Sequence, residues 1–278
     1  MRNFVKLALI ENRFSKFEMV KRKIIGIIPA RYGSKRLPAK PLIPIEGKPL
    51  VQRVYESAQK SSFLDRVIVA TDSARISDVV YGFGGEAYLS LRRHPTGTDR
   101  VAEVVRNLNC DLVLNIQCDQ PVFDSKMIDE LVASMLKGRN LLVGTLARRI
   151  EDPKKLKNPN VVKVVLNQNG FALYFSRFPI PYLRNLYHGT RASGSGKIDL
   201  KKTSYYEHIG IYAFRRDFLL KFASWKQTPL ERYEKLEQLR ALENGYKIKV
   251  CVTKHRSSTI DVPSDLIKLK IRKKGKSR

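Results

Sequence analysis

Short apolar runs alternate with amphipathic stretches along the first half of the chain. The runs 23–29 (KIIGIIP), 66–70 (RVIVA) and 111–116 (DLVLNI) are typical of strands buried on both faces of a parallel sheet. Apolar residues recur at helical spacing in the segments 49–60, 74–83, 100–108 and 125–135. This alternation of strand and helix predicts a three-layer α/β fold with a mostly parallel sheet.

The pattern changes after about residue 150, where strand signals dominate and predict a smaller β-rich lobe. Asn167-Gln168-Asn169-Gly170 indicates a hairpin turn, because an Asn-Gly pair supplies the positive φ that such a turn needs. The elements expected in this part are strands over 161–166, 171–175, 208–214 and 246–253, and a helix over 230–243.

Composition places the chain among globular proteins. It has 278 residues, of which 43% are apolar, and no apolar run is long enough to predict a membrane span. Its three cysteines form no CxxC pair, which favours a reducing, cytoplasmic location. We expect a basic extension over 1–22, one catalytic domain over 23–266 and a basic tail over 267–278, with Met19 as an alternative start.

The net charge of +27 is concentrated at the two ends, since residues 1–23 and 267–278 together carry 12 of these charges. A basic tail can bind nucleic acid or stay solvated. A basic body suits an enzyme with anionic substrates, because it raises their local concentration. An ordinary lysine-rich surface explains the same charge equally well.

The loop after the first strand carries the first candidate chemistry. Residues 29–42 read PARYGSKRLPAKPL, with four cations beside a Gly-Ser turn that exposes backbone N–H groups. Ligands bind at the carboxyl ends of strands in open α/β sheets, so this loop is suited to a triphosphate. It matches neither a Walker A loop nor a dinucleotide fingerprint.

Two aspartates are candidate metal ligands. Asp119 follows the buried strand 111–116, and Asp261 stands between a strand and a predicted helix. Magnesium usually takes one or two carboxylates together with substrate phosphates. The alternatives are a turn residue for Asp119 and a helix cap for Asp261.

These motifs resemble those of the sugar-acid cytidylyltransferases, and most closely the 3-deoxy-manno-octulosonate (KDO) cytidylyltransferase, or CMP-KDO synthetase, family. The resemblance spans roughly residues 23–266 and implies a Rossmann-like nucleotidyltransferase fold. It implies that Asp119 and Asp261 bind Mg²⁺. The chain departs from the family at Cys118, where glycine is usual, and at Gln120, where glutamate is usual.

The same resemblance assigns the remaining site residues. It implies catalytic roles for Arg31, Lys40 and Asp119. The residues implied for CTP are Ala30, Arg31, Gly33, Ser34, Lys40, Thr71, Asp72, Thr98, Gln117 and Asp119. Those implied for the sugar acid are Arg177, His208, Tyr212, Glu234 and Gln238. Thr98 is equally expected as a helix cap, and Glu234, Glu237 and Gln238 are expected within one helical turn.

The implied reaction is transfer of CMP from CTP to KDO, giving CMP-KDO and pyrophosphate for lipopolysaccharide synthesis. The family also implies a homodimer and gives no reason to expect a specific nucleic-acid partner. Three alternatives stay open. The acceptor could be sialic acid or 8-amino-KDO, the chain could be a nucleic-acid-binding module, or the departures at Cys118 and Gln120 could mark a weakened, non-catalytic paralogue.

Overall fold

The computed structural model describes residues 22–33, 37–90, 92–120, 122–184, 200 and 203–258. In chain order, the described strands are β1 (Ile24–Ala30), β2 (Pro44–Ile45), β3 (Lys48–Pro49), β4 (Arg66–Thr71), β5 (Glu86–Leu89), β6 (Leu112–Ile116), β7 (Val122–Phe123), β8 (Val143–Arg149), β9 (Lys163–Leu166), β10 (Ala172–Ser176), β11 (Tyr206–Arg215), β12 (Ile248–Val252) and β13 (Ser257–Ser258). The described α-helices are α1 (Leu50–Gln59), α2 (Ala74–Gly82), α3 (Gly97–Arg106), α4 (Lys126–Leu136), α5 (Pro153–Lys157), α6 (Arg216–Ser224), α7 (Pro229–Glu234) and α8 (Leu239–Glu243), and a short 3-10 helix covers Lys40–Leu42.

One mixed sheet forms the centre of the molecule and contains nine of the described strands. Its order is β10-β9-β11-β6-β1-β4-β5, in which β9 and β6 pair with different stretches of one edge of β11. The opposite edge of β11 pairs with β8, and β8 pairs with β12. The strands β6, β1, β4 and β5 are mutually parallel, as the apolar runs predict. Strand β11 pairs antiparallel with β6, so the β-rich part after residue 150 extends the same sheet.

Two apolar cores lie on opposite faces of this sheet. Ile24 and Ile28 of β1 face the core formed with α1, α2 and α4. Ile25 and Ile27 face the other core, formed with α3 and α6. Successive side chains of a strand point to opposite faces, so a strand covered on both sides is apolar throughout. The three-layer α/β prediction is therefore confirmed.

The predicted hairpin is also confirmed. Strands β9 and β10 pair antiparallel around the turn 167–170, where Gly170 has a φ of 71°. The Asn167 side-chain oxygen accepts the N–H groups of Asn169 and Phe171 and so stabilises the turn. This agreement follows from turn chemistry, which is local in sequence.

The single helix expected over 230–243 is wrong. Helix α7 ends at Glu234, Lys235 adopts a left-handed conformation with a φ of 54°, and α8 begins only at Leu239. The expected helical face of Glu234, Glu237 and Gln238 therefore does not exist. Tertiary contacts at this break, described below, outweigh the helical propensity of the segment.

The domain boundaries stay a prediction, because the expected extension and tail fall outside the described residues, apart from Arg22. Within the described part of the chain, no helix has the length and apolar character needed to cross a membrane.

Candidate active site

The carboxyl ends of β1, β4 and β6 meet at one edge of the sheet because these strands are parallel neighbours. Ala30 is buried at the end of β1, and the loop begins with the exposed Arg31. Gly33 has open space where a side chain would stand. Ser34 lies outside the described residues. The Ala39 N–H donates to the Tyr32 carbonyl over 3.1 Å, which closes the loop.

A cation and a carboxylate from neighbouring strands stand side by side at this edge. The loop after β1 ends in Lys40, and the loop after β6 carries Asp119. The Lys40 ammonium lies 3.7 Å from Asp119 Oδ2, and the side chains are 14% and 32% exposed. Both groups therefore remain accessible to a ligand arriving from solvent, and the structure joins two motifs that the sequence keeps 79 positions apart.

Thr71 and Asp72, expected at the nucleotide base, both bond to the protein. The buried Thr71 hydroxyl accepts the Ser73 N–H over 3.2 Å. Asp72 Oδ1 accepts the Tyr32 N–H over 3.1 Å, and its Oδ2 accepts from Arg100 over 2.8 Å. Asp72 thus holds the basic loop of β1 against β4, and a contact to cytosine stays a prediction.

A chain of hydrogen bonds runs from the end of β6 towards α7 and α8. Gln117 Nε2 donates to Asn115 Oδ1 over 3.1 Å, and Asn115 Nδ2 donates to the Thr98 hydroxyl over 2.9 Å. Thr98 in turn donates to Glu237 Oε2 over 2.8 Å. The residue that caps α3 is Thr96, through a capping box with Asp99, so the expectation of a cap at Thr98 is wrong.

Asn115 and Glu237 therefore join the candidate site through this network, and the sequence reasoning assigned neither of them a role. Burial raises the pKa of Glu237, while the hydroxyls of Thr96 and Thr98 oppose that rise. The only local signal was a polar Asn inside the buried run 111–116. Such a residue needs a buried hydrogen-bond partner, but the sequence does not say which one.

His208 and Tyr212 stand on β11 with their rings 5.4 Å apart. Burial lowers the pKa of His208 to about 3, so its imidazole is neutral. The Thr145 hydroxyl can donate to the Ile211 carbonyl at 2.9 Å and accept from His208 Nε2 at the same distance. This network assigns the proton to Nε2 and makes His208 Nδ1 an acceptor. Burial also raises the pKa of Tyr212, which keeps its hydroxyl protonated.

Arg177 and Glu234, both expected at the sugar, bond to each other's main chain. Arg177 Nε donates to the Glu234 carbonyl over 2.7 Å, and the Arg177 N–H donates to Glu234 Oε2 over 2.9 Å. Glu234 Oε1 accepts from Ser176 over 2.6 Å. Their structural role is to hold the end of α7 against the segment after β10. A direct contact of either residue with the sugar stays a prediction.

Two buried carboxamides have polar atoms without a hydrogen-bond partner among the described residues. They are Gln120 Oε1, beside Asp119, and Gln238 Nε2, in the segment between α7 and α8. A buried unpaired polar group costs about 1–3 kcal/mol, so a ligand that supplies the missing partner binds more tightly. Gln120 lies next to Gly210, which separates His208 from Tyr212 on β11.

Cys118 does not obstruct the ligand edge. Its side chain is 9% exposed and packs in the apolar core with α1 and α4. Burial and the neighbouring Asp119 raise the pKa of the thiol to about 12, so it stays neutral. The departure from glycine is therefore accommodated by the core.

Magnesium is compatible with the groups at this edge. Within the described residues, no cluster of three or more His, Cys, Asp or Glu side chains could form a complete metal cage. Magnesium does not need one, because it is held by one or two carboxylates plus substrate phosphates. Asp119 offers a partly exposed carboxylate of this kind. Asp261 lies outside the described residues.

The backbone brings the end of the described chain alongside the segment that follows Asp119. Strand β13 pairs antiparallel with β7, and Ser258 is the partner of Val122. These positions lie three residues before Asp261 and three residues after Asp119. His255, just before β13, also contacts the segment after β7, with its Nδ1 lying 2.7 Å from Asp124 Oδ2.

Comparison with known proteins identifies a cytidylyltransferase over most of the chain. Residues 25–248 match the model of the cytidylyltransferase family. The 3-deoxy-manno-octulosonate cytidylyltransferase of Syntrophotalea carbinolica is 47% identical over 252 residues, which cover 91% of this chain and 99% of that protein. The protein of the same name from Trichlorobacter lovleyi is 46% identical over 254 residues, with coverages of 91% and 99%.

Solved structures agree with the sequence relatives. A CMP:2-keto-3-deoxy-manno-octonic acid synthetase complexed with CTP superimposes with a TM-score of 0.81 at 37% identity, covering 91% of this chain and 99% of that one. A cytidylyltransferase from Leptospira borgpetersenii, 19% identical with a TM-score of 0.56 and coverages of 90% and 85%, shares the fold. These matches show that the chain belongs to the 3-deoxy-manno-octulosonate cytidylyltransferase family.

Proposed function

We propose that this chain transfers CMP from CTP to the anomeric hydroxyl of KDO, giving CMP-KDO and pyrophosphate. The observation that carries the proposal is the placement of Lys40 beside Asp119 at the carboxyl edge, at the end of a loop that begins with the exposed Arg31. Relatives named for this reaction at 47% and 46% identity, and a structural neighbour with CTP bound, support the same substrates.

The basic loop binds the triphosphate in this proposal. Arg31 and Lys40 neutralise the phosphate oxygens, and the backbone N–H of the exposed Gly33 adds a donor. Charge develops on the departing pyrophosphate as the bond to the α-phosphorus breaks, so these cations stabilise the transition state more than the bound CTP.

The sugar acid occupies the side of the site formed by β11 and the segment between α7 and α8. His208 Nδ1 accepts a sugar hydroxyl, and Gln238 Nε2 and Gln120 Oε1 find their missing partners on the ligand. A histidine with a pKa of about 3 is a weak base, so His208 orients the sugar rather than removing its proton. The anomeric oxygen attacks the α-phosphorus directly and loses its proton to solvent, with no covalent enzyme intermediate.

Asp119 is the carboxylate proposed to hold Mg²⁺, together with Asp261. When bound, the ion supplies Lewis-acid polarisation of the phosphate oxygens and increases the acidity of a coordinated hydroxyl.

We also propose that the enzyme is cytoplasmic, acts as a homodimer and supplies CMP-KDO to lipopolysaccharide synthesis.

The second candidate acceptors are 8-amino-KDO and sialic acid. The neutral Gln120 carboxamide, which stands where the family usually has glutamate, is the feature that favours testing them.

The test is pyrophosphate release from CTP with Mg²⁺, in the presence of KDO, 8-amino-KDO, sialic acid or no sugar. We expect release with KDO and a loss of about 100-fold or more in Asp119→Asn, as when a transition-state contact is removed. The matched control is Asp217→Asn, because the Asp217 side chain is 94% exposed at the start of α6. Release with another sugar alone would change the acceptor, and no release with any sugar from folded protein would refute the proposal.

A further inference from the structure

A fully buried lysine stands behind the proposed sugar side of the site. Lys163 lies on β9 with no exposed surface. Its ammonium donates to the carbonyls of Val161 over 2.6 Å, Asn158 over 3.1 Å and Arg177. Three protons therefore meet three main-chain acceptors, which offsets part of the cost of burying the charge. Burial and the nearby Arg177 lower the pKa of Lys163 to about 8 against the attraction of Glu234, so it remains mostly charged at pH 7.

Arg177 links Lys163 to the end of α7 through hydrogen bonds. Its carbonyl accepts from Lys163, while its guanidinium donates to the carbonyls of Glu234 over 2.7 Å and Lys235 over 3.4 Å. The last carbonyls of a helix have no partner within the helix, and basic side chains can satisfy them. Arg177 Nη1 also donates to the Pro159 carbonyl over 3.0 Å, so both residues hold the same loop before β9.

The end of α7 decides where the next residues point. Lys235 turns into the left-handed region, and the chain then places Glu237 against Thr96 and Thr98 at 2.7 and 2.8 Å. Gln238 is buried, with its Nε2 unpartnered among the described residues. A continuous helix would instead bring Glu237 round towards the face of Glu234.

We propose that Lys163 is a positioning residue for the sugar acid: it fixes Arg177, and through Arg177 the end of α7, so that Glu237 and Gln238 face the acceptor. This inference rests on the proposed function. Lys163 itself touches neither substrate. Its removal therefore weakens sugar binding and leaves CTP binding at the loop of β1 unchanged.

The test compares apparent KM values for KDO and for CTP at pH 7 in the wild-type chain, Lys163→Met, Lys163→Arg and Lys249→Met. Lys249 is the matched control, because its ammonium also donates to a main-chain carbonyl, that of Asn169, but at the exposed hairpin. We expect Lys163→Met to raise KM for KDO about tenfold or more with KM for CTP changed less than about twofold, and Lys163→Arg to recover part of the loss.

A second measurement separates positioning from general loss of structure. In Lys163→Met/Arg177→Met, the rise in KM for KDO should be smaller than the product of the two single effects, because both residues act through one link. Equal changes in both KM values, or an equal effect of Lys249→Met, would overturn the inference. If Lys163→Met does not fold, Lys163→Arg provides the same comparison. Wild-type activity with KDO tests the proposed function separately, and the KM ratio can be measured with whichever sugar acid the enzyme accepts.

Discussion

The buried ion pair of Glu231 and Arg240 joins the two short helices that replace the expected single helix. Arg240 Nε and Nη2 donate to the two carboxylate oxygens of Glu231 over 2.8 and 2.7 Å, and the side chains are 2% and 4% exposed. The guanidinium also lies 4.9 Å from the centre of the Phe222 ring. Arg240→Leu removes the donors and leaves the Glu231 carboxylate buried without its cation.

The expected loss follows from that uncompensated charge. Removing one partner of a buried ion pair costs about 3–5 kcal/mol. For a chain of this size, each kcal/mol lowers the melting temperature by about 2–4 °C, so a decrease of roughly 6–20 °C is expected. Glu231→Leu/Arg240→Leu removes both charges, and replacement of a whole buried pair by apolar residues is often close to neutral. The double variant should therefore be more stable than Arg240→Leu.

Equilibrium unfolding in urea measures the free energies of unfolding of the wild type, both single variants and the double variant. The coupling energy comes from the complete cycle. A loss below about 1 kcal/mol in Arg240→Leu, the range of an exposed pair, would refute the reasoning. A double variant whose loss equals the sum of the two single losses would refute it as well.

Two further predictions concern titration at the site. The His208 pKa of about 3 lies below its unfolded value near 6.5, so the unfolded chain binds more protons between these pH values. The free energy of unfolding therefore falls as pH decreases, and at pH 5 the loss due to His208 amounts to about 2 kcal/mol. His208→Gln should lose this pH dependence in unfolding measurements at pH 5 and 7, and an unchanged slope would count against a neutral buried imidazole. Cys118, with a thiol pKa of about 12, should resist alkylation at pH 8 in the folded enzyme, and rapid labelling detected by mass spectrometry would contradict its burial.

Local patterns account for much of the fold and for one side of the site. The apolar runs around β1, β4 and β6 could be identified because strands buried on both faces carry few polar residues. The cations of the loop after β1 and the aspartate after β6 followed from the rule that ligands bind at carboxyl ends of strands. Their proximity, with Lys40 3.7 Å from Asp119, agrees with that reasoning.

The contacts on the sugar side of the site could not be predicted from local patterns. Thr98 looks like a helix cap in sequence, yet the cap is Thr96, and the Thr98 hydroxyl bonds to Glu237, 139 positions away. The segment 230–243 has helical periodicity, yet the chain breaks at Lys235. The resemblance implies that Arg177 binds the sugar acid, yet its guanidinium bonds to main-chain carbonyls of Glu234 and Lys235.

By itself, then, the sequence determined the elements whose causes lie within a few residues: buried parallel strands, the hairpin at Gly170, and a basic loop followed by a candidate metal aspartate. The tertiary structure decided which polar groups meet. It joined Asn115 to Thr98 and the last described strand to β7, near Asp119. The physical reason is that periodicity and turn chemistry are local, whereas a buried polar group must be satisfied by whatever partner the fold brings near, at any separation along the chain.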